Sequence, residues 1–310
     1  MRTLLSTLLL ALWKGLAVVD ALPNPTVSYL QQRSVSVLSS SQLAGLAPYS
    51  EFARAAYCSP NIVDGWKCGQ ACEAVPGFQV SLTGGDGNDI QYYYVGYWPS
   101  GDTVVVAHQG TDPTQLLADL TDVNISFESP DPSLFPGVSS SVQVHSGFAN
   151  EHAKTAPTIL AEVNKLLIQY SAESVTLIGH SLGGALAELD CIFLALNLPS
   201  SISIKGVTYG TPRVGNPAWA SLFDSMVPNF QRINNEKDPI PIVPGISMGF
   251  SHVQGEVHIV DSDYVVSCPG DDDATDGDCT IMTVPNVIDS DILDHLGPYQ
   301  GIYIGTLFCT

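Results

Sequence analysis

Apolar residues along the chain alternate between helical and strand-like spacing. Residues 40–57 and 159–170 place apolar side chains three or four positions apart, which predicts amphipathic helices. Residues 90–98 and 103–108 predict two strands joined by a Pro-Ser-Gly-Asp turn. Further strands are predicted at residues 175–180, 204–209 and 230–233. With 310 residues, 45% of them hydrophobic, the chain can bury a large core, and we expect a single α/β domain.

The clearest local signal is a Gly-x-Ser-x-Gly motif centred on Ser181. A β-branched apolar run ends directly before it, and a helix-forming run follows from Ala185. This strand–turn–helix context is typical of a nucleophile elbow, whose sharp turn holds a serine hydroxyl above the carboxyl end of a sheet. Gly179 and Gly183 leave room for such a turn, and the helix N-terminus would favour a developing oxyanion. The alternative is a Gly- and Ser-rich turn in an ordinary strand–helix connection.

A serine nucleophile needs a histidine base and a carboxylate that orients it. Hydrolases built on such an elbow carry these groups in the order Ser, then Asp or Glu, then His. Asp238 follows a predicted strand and is flanked by prolines, so it is the expected carboxylate, with Glu236 as the alternative. His295, in a loop bounded by Gly and Pro, is the expected base.

The other histidines favour structural roles. His258 lies on a predicted strand face, and His252 is a further candidate base that the loop position of His295 makes less favourable. His145 and His152 are not accompanied by a third ligand at a recognisable metal-site spacing. We therefore expect neither a metal ion nor an organic cofactor.

The loop after the predicted strand 103–108 is the expected second half of an oxyanion hole. One donor would be the N–H of Leu182, which follows the nucleophile, and the other the N–H of Thr111, with Gly110 allowing close approach. Asp112 followed by Pro113 also predicts an ordinary capped helix start, and both interpretations hold together.

A short amphipathic helix is predicted directly beyond this loop. Leu116, Leu117 and Leu120 share one of its faces, which makes residues 114–120 a candidate lid over a pocket or against a lipid surface. The alternative is a packed surface helix.

The N-terminal residues predict secretion. Arg2, an apolar run over residues 4–13 and a small-residue site ending at Ala21 have the order of a signal peptide, and Lys14 interrupts the apolar run. We expect a signal peptide at residues 1–21, a catalytic domain at residues 22–310, and no membrane-spanning segment. The sequon at Asn124 predicts a glycan.

Charge and cysteine content agree with an extracellular protein. A net charge of −20 argues against nucleic acid and anionic membranes as partners. The acidic run at residues 271–278 lacks the ligand spacing of a calcium loop, so a solvated hairpin tip is favoured. Of the seven cysteines, Cys191 lies in an apolar run and is expected to be a buried thiol. The other six predict three disulfides, whose pairing the spacing leaves open.

Several motifs together resemble the secreted fungal lipases of the class 3 type, a family that includes Rhizomucor- and Thermomyces-type lipases and some feruloyl esterases. The resemblance covers nearly all of the mature chain. It rests on Gly-His-Ser-Leu-Gly-Gly at 179–184, Tyr-Gly-Thr-Pro-Arg-Val-Gly-Asn at 209–216, Val-His-Ser-Gly-Phe at 144–148, Asn-Glu-Lys-Asp-Pro-Ile-Pro at 235–241, Asp-His-Leu-Gly-Pro-Tyr at 294–299 and Ala-Tyr-Cys at 56–58.

The resemblance implies an α/β-hydrolase-like fold with a largely parallel central sheet flanked by helices. It implies Ser181, Asp238 and His295 as the catalytic triad, with Thr111 and Leu182 as the oxyanion hole. It also implies the disulfide pairs Cys58–Cys309, Cys68–Cys72 and Cys268–Cys279. One position departs from the family, because Gln109 stands where an Arg usually precedes the Gly of the oxyanion loop.

We therefore expect a secreted, monomeric serine hydrolase that cleaves carboxylic esters through an acyl-enzyme. The leucines of the candidate lid and the apolar loop at residues 246–250 favour acylglycerols at an oil–water interface. A feruloyl-type or general carboxylesterase is the alternative enzyme, and a catalytically silent lipid- or carbohydrate-binding module is the alternative outside enzymes.

Overall fold

A computed structural model describes residues 35–122, 125–271 and 275–309, all within one folded unit, Arg33–Thr310. The predicted signal peptide and the sequon residue Asn124 lie outside the described residues. Within the described part of the chain, every helix is too short or too polar to cross a bilayer.

A nine-stranded sheet forms the centre of the protein, in the order β1-β11-β10-β9-β8-β7-β4-β3-β2. Strands β4, β7, β8, β9 and β10 run parallel, and antiparallel strands close both edges. The predicted largely parallel sheet is therefore confirmed. The strands, including the separate pair β5–β6, are β1 Ser36–Val37, β2 Gln79–Gly84, β3 Tyr93–Trp98, β4 Thr103–His108, β5 Phe127–Glu128, β6 Val144–His145, β7 Ser174–His180, β8 Ser203–Tyr209, β9 Phe230–Asn235, β10 Glu256–Asp261 and β11 Tyr264–Ser267.

Helices flank this sheet, and short 3-10 turns lie in the segments after β9 and after the last helix. The helices are α1 Ser40–Ala44, α2 Ala47–Ala55, α3 Pro60–Val63, α4 Gln70–Ala74, α5 Pro113–Thr121, α6 Ser146–Ala153, α7 Ala156–Tyr170, α8 Leu182–Asn197, α9 Pro217–Met226 and α10 Thr280–Thr283. The 3-10 turns are Ile240–Ile242, Ile246–Met248, Val287–Asp289, Ile292–Leu296 and Thr306–Phe308.

Both faces of the sheet are buried, which explains why its central strands are apolar throughout. All six residues of β4 are buried. Val104 and Val106 join the core cluster that contains the inward face of α7, whereas Val105 and Ala107 join a second cluster with Phe52 of α2. Successive strand side chains point to opposite faces, so a strand covered by helices on both sides needs no polar positions.

The single helix predicted over residues 40–57 is wrong, because the structure contains two helices there. Ser39 caps α1 in a capping box with Gln42, and the chain breaks at Gly45 before α2 begins. Pro48 explains the break: it has no N–H to donate, and its ring would clash with the carbonyl group four residues earlier in a continuous helix.

Three disulfides are formed, Cys58–Cys309, Cys68–Cys72 and Cys268–Cys279, with the pairing that the family resemblance implies. Cys191 is a buried free thiol. The Cys58–Cys309 bond joins residues 251 positions apart, so it removes far more conformational freedom from the unfolded chain than the other two bonds.

Glu188 of α8 is a buried carboxyl group whose protonation we expect to control stability between about pH 4.5 and pH 8. One of its oxygens accepts a 2.7 Å hydrogen bond from the Trp219 indole. Burial outweighs this bond and the nearby Arg232 charge and raises the pKa of Glu188 to about 8. Since this pKa is higher in the folded state than in the unfolded state, the free energy of unfolding falls as pH rises from about 4.5 to about 8.

Glu188→Gln mimics the neutral acid and removes this dependence. We expect the free energy of unfolding of the variant, minus that of wild type, to increase by on the order of a few kcal/mol from pH 4.5 to pH 9. Urea unfolding at both pH values measures this difference. Glu73→Gln, at an exposed position on α4, serves as the control and should track wild type. Parallel stability curves for wild type and Glu188→Gln would show that Glu188 is already ionised in the folded protein.

Candidate active site

Ser181 lies in a sharp turn between β7 and α8. Its backbone has φ 62° and ψ −131°, a strained conformation for a residue with a side chain. A β-carbon on Gly179 would clash with the Gly183 carbonyl, and one on Gly183 would clash with the carbonyl of His108. The Ser181 N–H donates to the Tyr209 carbonyl at 2.9 Å. The turn therefore has the geometry of a nucleophile elbow, and only glycine fits at its two flanking positions.

Asp238 and His295 form a buried pair at the same edge of the sheet. Asp238 follows β9 and uses one carboxylate oxygen to accept from the Ile240 N–H at 2.8 Å. Its other oxygen accepts from Nδ1 of His295 at 2.8 Å. His295 lies in the turn Ile292–Leu296, which Asp291 caps. With the proton held on Nδ1, the Nε2 atom carries a lone pair that can accept a proton.

The Ser181 hydroxyl and the Nε2 atom of His295 are both buried, and neither has a hydrogen-bond partner among the described residues. The structure thus holds the nucleophile and the base as two unengaged groups. In enzymes without substrate, catalytic hydrogen bonds are often long and tighten when substrate binds.

Tyr57 and His180, for which the sequence predicts no role in the site, connect the loops around Ser181. Nε2 of His180 donates to the His295 carbonyl at 2.7 Å, so its Nδ1 accepts from the Tyr57 hydroxyl at 2.6 Å. The Gly110 N–H in turn donates to the Tyr57 oxygen. Burial, reinforced by the neighbouring His295, lowers the pKa of His180 well below its usual range. A neutral imidazole therefore ties the oxyanion loop and the histidine turn to the elbow.

The candidate oxyanion loop leaves β4 beside the elbow. A β-carbon on Gly110 would come within 2.8 Å of the Ser181 β-carbon, so the loop backbone runs against the nucleophile. Gln109, where the family usually has Arg, accepts from the Tyr92 N–H at 2.9 Å through its side chain, and its own N–H donates to the Tyr92 carbonyl at 2.8 Å. This pair of bonds anchors the loop in the absence of the arginine.

The helix beyond this loop, α5, packs inward. Asp112 caps it by accepting from the N–H groups of Thr114 and Gln115 at 2.9 and 3.1 Å. Leu116 and Leu120 are buried and Leu117 is half-buried, and the helix contacts the turn that carries His295. The three leucines thus face the protein and not the solvent.

The alternative site residues lie elsewhere. The His258 ring bonds to the backbone carbonyls of Asp278 and Glu236. The His252 ring bonds to the carbonyl of Pro241. The carboxylate that bonds His295 belongs to Asp238, not to the alternative Glu236. The pKa of Glu236 is raised, mainly by burial and to a smaller extent by the nearby negative charge of Asp294. His145 caps α6, and His152 belongs to a buried cluster with Asp190.

Comparisons with known proteins agree with this geometry. The family model of class 3 lipases matches residues 105–248. A lipase of Rhizomucor miehei is 30% identical over 89% of this chain and 73% of its own length. A secreted mono- and diacylglycerol lipase of Malassezia globosa is 29% identical, covering 83% of this chain and 81% of that protein.

Solved structures give the same result. The Rhizomucor miehei lipase propeptide complex superposes with a TM-score of 0.75 at 29% identity, covering 89% of this chain and 85% of that chain. Lipase II from Rhizopus niveus superposes with a TM-score of 0.74 at 28% identity, covering 89% and 100%. The protein is an α/β-hydrolase. It belongs to the class 3 lipase family, and it is a secreted hydrolase of carboxylic esters, as the sequence predicted.

Proposed function

We propose that this protein hydrolyses acylglycerols, with Ser181, His295 and Asp238 as the catalytic triad. The observation that carries the proposal is the strained elbow at Ser181 beside the buried His295–Asp238 pair. Every group that the mechanism needs comes from one chain, which supports a monomeric enzyme.

The reaction follows from the groups at this edge of the sheet. The Ser181 hydroxyl oxygen attacks the ester carbonyl carbon while Nε2 of His295 takes its proton, and Asp238 stabilises the imidazolium that forms. The N–H groups of Leu182 and Thr111 stabilise the oxyanion of the tetrahedral intermediate. His295 then gives the proton to the departing alcohol. A water molecule, deprotonated by the same nitrogen, then attacks the acyl carbon. The bond between this carbon and the Ser181 oxygen breaks, His295 returns the proton to Ser181, and the fatty acid is released.

The packing of α5 supports a lipid substrate. Leu116, Leu117 and Leu120 lie against the protein and the helix contacts the turn of His295, which is the arrangement of a closed lid. Opening this helix would expose apolar area that an oil surface could receive. Each leucine is worth about 1.5–3 kcal/mol on transfer from water, so an interface can bias the helix between two positions.

Activity on emulsified tributyrin is therefore expected to rise disproportionately once the substrate exceeds its solubility. Changing Leu116, Leu117 and Leu120 together to Ser should reduce this rise by at least about tenfold, because losing 1.4 kcal/mol of bias corresponds to a factor of ten. Hydrolysis of dissolved p-nitrophenyl acetate should persist. Ile168→Ser, which removes an exposed apolar side chain from α7, is the control and should leave the rise unchanged.

Two outcomes would change the proposal. A wild-type protein without any rise at the interface that prefers methyl ferulate would be a feruloyl-type esterase. If wild type and the triple variant show the same rise in activity at the interface, α5 is not the lid, but the proposal of an acylglycerol substrate still stands.

A further inference from the structure

Asp190 is a fully buried carboxylate that the proposed chemistry does not use. It lies on α8, about two turns beyond Leu182. One of its oxygens bonds Nε2 of His108 at 2.7 Å, and the other bonds Nε2 of His152 at 2.9 Å. All three side chains are inaccessible to solvent.

The charge state of this cluster follows from its bonds. Burial alone would favour the neutral acid, but the hydrogen bonds from both rings outweigh it and lower the pKa of Asp190 to about 2. Asp190 is therefore ionised and both rings donate. Nδ1 of His152 is also buried and has no partner among the described residues. Its ring lies 5.5 Å from that of Phe135 and 5.4 Å from that of Phe193.

The cluster joins the two elements that supply the oxyanion donors. His108 ends β4 and precedes Thr111 by three residues, whereas Asp190 belongs to the helix that begins with Leu182. The first turn of the same helix touches the same strand end, since a β-carbon on Gly183 would lie 2.7 Å from the Gln109 carbonyl oxygen. The His108–Asp190 bond thus fixes the oxyanion loop to α8 at a second point, deeper in the protein.

We propose that Asp190 and His108 are positioning residues that hold the Thr111 N–H at the correct distance from the Leu182 N–H. This inference rests on the proposed function. A buried ion network gives little net stability compared with apolar side chains of similar size, but its directional bonds fix one geometry. Oxyanion stabilisation requires such accuracy, because the donors act only on the charge that develops in the transition state.

The test replaces the network by apolar side chains, in the variant His108→Leu/Asp190→Leu/His152→Phe. A positioning role predicts a melting temperature close to wild type and a kcat on dissolved p-nitrophenyl butyrate lowered by about 10- to 100-fold, with KM within about twofold. The inhibition constant of a short alkyl trifluoromethyl ketone, whose adduct places an oxyanion in the hole, should rise by the same factor. Asp190→Asn, whose amide can accept from only one histidine, should show the same pattern at about tenfold and serves if the triple variant does not fold.

Glu188→Gln is the matched control, since Glu188 is a buried carboxyl on the same helix that bonds Trp219 and not the oxyanion loop. It should leave kcat and the inhibition constant unchanged. Folded variants of the Asp190 cluster with wild-type kcat and unchanged ketone binding would overturn the positioning role. Activity retained in Ser181→Ala would instead overturn the proposed function itself, whatever the Asp190 variants do.

Discussion

Ser181→Ala is expected to lower kcat for ester hydrolysis by at least about 10⁴-fold, because the nucleophile that forms the acyl-enzyme is lost. The fold should survive, since the Ser181 hydroxyl makes no hydrogen bond to the described residues and the change removes only one buried oxygen. Turnover of p-nitrophenyl butyrate and the circular dichroism spectrum measure the two effects.

A fluorophosphonate probe separates loss of the nucleophile from loss of structure. Wild type should be labelled at Ser181 and Ser181→Ala should not be labelled, as peptide mapping would show. Ser221→Ala, at an exposed position on α9, is the control and should retain both labelling and turnover. Labelling of a different serine in the wild type, with near-normal turnover in Ser181→Ala, would disprove the assignment and move the role of nucleophile to the labelled serine.

Asp238→Asn should lower kcat by about 10⁴-fold, for a different physical reason. The Asp238 carboxylate accepts the Nδ1 proton of His295, which leaves Nε2 free to act as base. An asparagine can keep the bond from the Ile240 N–H through its oxygen, but its NH₂ group would then face Nδ1. The ring would move its proton to Nε2, and the base would be lost.

Glu236→Gln is the matched comparison for this variant, because Glu236 is the other carboxyl group directly after β9. It should retain kcat within about twofold, because its side chain does not bond the His295 ring. The two variants decide between the candidates. Strong loss in Glu236→Gln with near-normal turnover in Asp238→Asn would move the role to Glu236.

Local signals made much of the site predictable. The elbow is encoded within about ten residues, because its strand, glycines and helix are neighbours in sequence. Chain order and loop context point to Asp238 and His295 as the carboxylate and the base, and the structure brings these two side chains together. The break between α1 and α2 was signalled by Pro48, but the apolar spacing on either side of it masked the signal.

Contacts between distant segments were not predictable from spacing. His108 and His152 lie 82 and 38 residues from Asp190. His108 falls in a segment whose pattern indicates only a strand, and His152 lies outside the elements that the sequence predicts. The sequence consequently indicates only a general structural role for His152. Tyr57 and His180 are 123 residues apart, so their bond also depends on how α2 packs against the sheet. The disulfide pairing likewise required the family resemblance, because six cysteines can pair in many ways.

The parallel order of the central strands has a consequence for folding kinetics. Strand β4 must pair with β7, which lies about seventy residues further along the chain. Closing this long loop costs conformational entropy before the contacts between the two strands can compensate for it. Until then the run of three valines in β4 stays exposed, and short β-branched segments of this kind promote aggregation. Recovery of activity after denaturation should therefore be slow and should fall as protein concentration rises.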